Sequence, residues 1–111
     1  MKYMLLIYED EAQYADEQLL AQAIEAHGAF AGSLGDRMTG GAGLKDSRTA
    51  TIVRTRAGGR SFHDGPFAEA REQLGGFYIV DVADLDAALE IAKRVPLAGD
   101  GAIEVRPLID D

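Results

Sequence analysis

The chain has 111 residues, 47% of them apolar and 27% charged, which suits one small globular domain spanning 1–111 and argues against disorder. Nineteen acidic against eleven basic side chains give a formal charge of −8, a balance that repels phosphate backbones and anionic lipid, so neither nucleic acid nor membrane is expected as a partner. Cysteine is absent, which removes disulfides, thiolate nucleophiles and Cys-based zinc sites together and fits a cytoplasmic protein.

Residues 2–8 are rich in Tyr, Met, Leu and Ile, too short a run for a membrane span of about 20 apolar residues. They read as a central strand covered on both faces. The acidic turn Glu9, Asp10 and Glu11 follows. From Asp16 the period becomes helical, with Leu20, Ala23, Ile24, His27, Ala31 and Leu34 on one face, Asp16 and Glu17 at the positive end of the dipole, and Gly35 as the stop. Gly28 and Gly32 each cost that helix roughly 1 kcal/mol relative to Ala, which close approach of the helix to the sheet would offset.

Gly40, Gly41 and Gly43 make any strand over 38–44 short, bulged or an edge. Residues 49–56 are Thr- and Val-rich and predict a full strand; Ala57, Gly58 and Gly59 turn it into a hairpin returning over 60–63. Arg54, Arg56 and Arg60 decorate the exposed face of that hairpin. Asp64, Gly65 and Pro66 break regular structure, and 67–73 forms a turn of helix or an ordered loop before Gly75 and Gly76. Residues 77–82 are a further strand. Asp84 caps a second helix whose inward face is Leu85, Ala88, Leu89 and Ala92, and Pro96 stops it. Ile103, Val105 and Pro107 alternate with Glu104 and Arg106 in a half-buried last strand. The order predicts two split β-α-β halves: an α+β, ferredoxin-like sandwich with an antiparallel sheet and two helices on one face.

The block running from Asp64, Gly65, Pro66 and Phe67 through Arg71, Glu72 and Gln73 to Gly75, Gly76, Phe77 and Tyr78 resembles the signature of the YCII-related, DGPF-type family. The opening strand 1–8, the second helix from Asp84 to Leu89 and the segment Glu104 to Pro107 are similar to that family as well. The resemblance implies a homodimer in a dimeric α+β barrel arrangement. It also implies an acid–base site built on a His–Asp pair, as proposed for the YCII branch, or a regulatory role linked to sigma factors by genomic neighbourhood.

His27 is the most informative single residue, because it sits on the apolar stripe of the first helix. A buried imidazole needs partners for both ring nitrogens, and in a cleft it becomes a candidate general acid or base. The plainer alternative is a core-edge histidine satisfied by backbone or water. Asp64 is the candidate partner of His27, against a purely turn-building role. His63 would point away from Asp64 on a strand and reads as structural. Arg71 is placed for recognition of an anion, with Glu72 and Gln73 beside it at a cavity mouth or in an ion pair. Tyr8 and Tyr78 could reach into a pocket from central strands, or simply pack. No phosphate loop, cofactor fingerprint or spaced metal-ligand set is present in the sequence. Three readings follow: an acid–base enzyme acting through His27 and Asp64 on a small polar metabolite, a non-catalytic ligand-binding or regulatory module, or a dimerising scaffold without a cavity.

Overall fold

Every second residue of the first strand, β1 (Lys2–Glu9), is buried: Tyr3, Leu5, Ile7 and Glu9 point one way and Lys2, Met4, Leu6 and Tyr8 the other. This is the computed structural model of the chain, which describes residues 1–66 and 70–109. The 3₁₀ turn Glu11–Ala15 leads into α1 (Glu17–Leu34), whose N-cap Asp16 accepts from the backbone N–H groups of Gln18 and Leu19. Gly35 ends the helix at φ 56°, a conformation that costs glycine little. Then come β2 (Met38–Gly43), the hairpin β3 (Thr51–Arg56) and β4 (Gly59–Asp64), β5 (Gln73–Asp81), α2 (Leu85–Ala92) and β6 (Gly101–Pro107). Within the predicted 67–73 segment, 67–69 lie outside the described residues and Gln73 already belongs to β5.

The main sheet runs β2-β5-β1-β6 with all three pairings antiparallel, the strand order of a ferredoxin-like fold. Phe30 and Leu34 of α1 and Ala88 and Ile91 of α2 form one core with Tyr3, Leu5, Ile7, Tyr78 and Val80, so both helices cover the same face. The expectation of a strand covered on both sides is therefore corrected: the chain itself covers only one. Met4, Leu6, Phe77 and Ile79 meet in register on the opposite face and are half-buried by one another.

Two helical stripes also shift. In α1 the buried residues are Phe30 and Leu34, while Leu20 and Ile24 stay exposed. In α2 Ala88 is buried and Ala92 packs on the core as expected, joined by Ile91 and by Val95 beyond the helix end, while Leu85 and Leu89 are exposed. The three-and-four spacing of this stripe brings Val95 into the core, where Pro96 ends the segment. Nor does close packing explain Gly28 and Gly32, since a Cβ at either would meet nothing within 4 Å.

The β3–β4 hairpin forms a two-stranded sheet of its own, outside the main one. Its turn is tight, with Ala57 at φ 50° and Gly58 at φ 80°, as a two-residue primed turn requires. At its base Gly65 N–H donates to the Ala50 carbonyl at 2.7 Å, and a Cβ at Gly65 would come within 2.5 Å of Ala50 Cβ. The chain extends 43 × 39 × 19 Å with a radius of gyration of 15.6 Å, above the roughly 13 Å of a compact domain near this length.

Candidate functional site

The N-terminal half of α1 does not close onto the sheet. Leu20, Ala23, Ile24, His27 and Gly28 stand over Ile7, Glu9 and Tyr78, and the segment Gly43 to Asp46 flanks them, bordering a hollow of about 840 Å³ that opens to solvent and has mostly apolar walls. Gly28 borders the hollow, and a Cβ there would meet nothing within 4 Å.

His27 lies at the boundary between this hollow and a smaller one of about 180 Å³ lined by Leu97 and Pro96. Its Nδ1 is 2.8 Å from Tyr78 Oη, the two rings are nearly parallel with centroids 6.0 Å apart, and Phe30 meets Tyr78 edge-on at 5.3 Å. The Pro96 carbonyl also lies near enough to the imidazole to favour its charged form. A carbonyl only accepts, so the tautomer that suits Pro96 carries its N–H away from Nδ1 and receives the Tyr78 hydroxyl at Nδ1. Burial lowers the His27 pKa below the ordinary 6.5, opposed by the negative charge of Glu9 and by the Pro96 contact. Burial likewise raises that of Tyr78. Near neutral pH the pair is therefore a neutral imidazole and a protonated phenol.

Glu9 is the one buried charged residue among those described. It extends the inward face of β1, and its Oε2 accepts from Tyr14 Oη at 2.7 Å and from Gln13 Nε2 at 3.2 Å, both on the 3₁₀ turn that follows. Burial first, and the Glu9 carboxylate second, push the Tyr14 phenol far up in pKa. Glu11 fastens the far wall: its carboxylate accepts from Ser47 N–H at 2.9 Å and from the Ser47 hydroxyl. Gln73 Oε1 accepts from Glu11 N–H at 3.0 Å. These bonds hold Leu44, Lys45, Asp46 and Thr49 at the mouth of the hollow.

The expected site residues separate. His27 and Tyr78 come together. Tyr8 points to the opposite face of the sheet, where its hydroxyl donates to Glu104 Oε1 at 3.3 Å. Asp64 ends β4 opposite Thr51 and lines neither hollow; His63 pairs with Ile52, and its Nε2 lies 2.9 Å from Ser61 Oγ. Arg71 is exposed and Glu72 half-buried in the bend before β5, and of that polar trio only Gln73 lines the hollow. No group of three His, Asp or Glu among the described residues gathers as metal ligands would.

A family model of the YCII-related domain matches residues 1–110. The chain belongs to that family. An uncharacterised protein of Rhizobium meliloti (strain 1021) is 38% identical over 118 residues, covering 97% of this chain and 92% of its own. In this YCII-related protein the polar groups that sequence reasoning missed are Glu9, Gln13 and Tyr14. A signal for Glu9 was present, because Tyr3, Leu5, Ile7 and Glu9 keep strict alternation. Among the described residues no helix is long and apolar enough to cross a membrane.

Proposed function

We propose that this YCII-related protein is an acid–base enzyme of the cytoplasm that acts on a small metabolite through His27, with Tyr78 rather than Asp64 as its working partner. One observation carries the reading: a neutral imidazole, receiving the Tyr78 hydroxyl at 2.8 Å, borders a hollow of about 840 Å³. As a donor to Nδ1, the phenol oxygen can take a proton from the ligand while its own proton passes to His27. The imidazolium so formed is favoured by the charge of Glu9 and by the nearby Pro96 carbonyl. The ligand's polar end meets His27, Tyr78 and Glu9, and its apolar body lies along Leu20, Ile24 and Leu44.

A thermal-shift screen of small carbonyl compounds, phenols and amines on the wild-type protein finds binders, which are then followed for conversion. Loss of turnover at least 100-fold in both His27→Asn and Tyr78→Phe is expected; unchanged turnover in both removes the proposal. A ligand that stabilises the protein and emerges intact supports the second reading, a binding or regulatory module, which the mostly apolar walls favour. The scaffold reading needs the space beside His27 filled, and a hollow stands there.

The same reading includes a homodimer joined through the face of Met4, Leu6, Phe77 and Ile79. Its support is that these apolar side chains share one face and the two helices pack on the other. Sedimentation equilibrium at micromolar concentration is expected to give twice the chain mass; a monomer there overturns it.

A further inference from the structure

Resting on the homodimer proposed above, we infer that the β3–β4 hairpin is an arm that embraces the second copy of this chain. The ribbon pairs Val53 with Phe62 across its strands, and the two lie on one face with Thr55 and Arg60 toward the turn and Thr51 and Asp64 toward the base. That apolar pair faces outward, with Val53 52% and Phe62 73% exposed. Ile52 and Arg54, on the other ribbon face, are half-buried. A lone two-stranded hairpin is marginal in water, and an exposed cross-strand Val–Phe pair gains its stabilisation only when a third surface covers it.

Charge identifies that surface. Residues 51–64 carry Arg54, Arg56 and Arg60 against Asp64 alone, whereas the rest of the chain carries eighteen acidic and eight basic side chains. The arm is thus cationic on a strongly anionic protein, with Arg60 on the face of the Val53–Phe62 pair and Arg54 and Arg56 on the other, and the body of a second copy is complementary to it in sign. A phosphate backbone would meet the arm favourably and the body unfavourably, which disfavours nucleic acid as the occupant. The arm leaves its own body at Ala50 and Gly65, close to Thr49 at the hollow's mouth, so an embracing partner borders the entrance as well.

The absence of cysteine makes the test clean. In the full chain, Phe62→Cys labelled with a benzophenone maleimide is irradiated, and the cross-linked peptides are identified by mass spectrometry. Cross-links from position 62 into the body of a second chain are expected. Phe62→Asp and the double variant Arg56→Glu/Arg60→Glu are each expected to weaken the dimer at least tenfold by sedimentation equilibrium, while leaving the thermal transition of the body in place. A dimer of unchanged affinity in both variants, with cross-links confined to one chain, overturns the arm and leaves the dimer standing. A monomeric wild type overturns both.

Discussion

The two ends of α1 sit on the same sheet and do opposite things. At its C-terminal end Phe30 and Leu34 interlock with Tyr3, Leu5, Val80 and Ile91, and nearly every apolar atom is out of water. At its N-terminal end Leu20 and Ile24 hang over the sheet without touching bottom, and polar groups (His27, Tyr78, Glu9, Tyr14) gather where the core would otherwise continue. The lesson is a division of labour: one half of a single helix holds the fold together, and the other half gives up burial to keep a space open.

Substitutions at the two ends test that division, and the packed end should respond most. Leu5, fully buried, when changed to Ala should lose about 2–5 kcal/mol in urea unfolding. Next comes Glu9→Leu, which removes the acceptor that Tyr14 and Gln13 share; a loss of about 1–3 kcal/mol is expected from the stranded donors. Gly28→Ala should do the reverse, stabilising the helix by up to about 1 kcal/mol while narrowing the hollow, so that ligand affinity falls as the melting temperature rises. The smallest effect belongs to Ile24→Ala, within about 0.5 kcal/mol, because that side chain is 66% exposed. An Ile24→Ala loss as large as that of Leu5→Ala would erase the distinction.

The acid–base pair adds a pH signature. A histidine whose folded pKa lies below 6.5 contributes stability that is full above 6.5 and is lost as pH falls toward the folded value. The wild type should therefore lose more thermal stability between pH 7 and 5 than His27→Asn does. The His27 ring should titrate below 6.5 by NMR; a midpoint above that value contradicts the assignment.

Much of the architecture was legible in residues alone. The alternation of β6, the helix start at Asp16, the cap at Asp84 and the glycine stop at Gly35 each follow from local chemistry. His27 stood out because one polar ring interrupts an apolar stripe. Its partner was harder to choose, since sidedness on a sheet depends on register: Tyr78 lies opposite Leu5 and faces inward, while Tyr8, one position past Ile7, faces outward. Asp64 looked apt because it stands near Gly65 and Pro66 in a dense motif, but the strand carrying it leaves the main sheet altogether. Glu9 was hidden by its neighbours Asp10 and Glu11, which made a buried carboxylate look like part of a solvated turn.

The floor of the hollow has a further consequence. At Gly41 an added Cβ would lie 2.9 Å from the Phe77 carbonyl oxygen, and at Gly76 another would lie 2.9 Å from that of Ala42. At these two glycines, beside the side chains of Ile7, Glu9 and Tyr78, the floor is therefore bare main chain, whose contour is dictated by strand pairing and tolerates little change. Diversification of ligand preference in this scaffold must come from the helical ceiling, where Leu20, Ile24 and Gly28 can be exchanged without disturbing a single ladder bond.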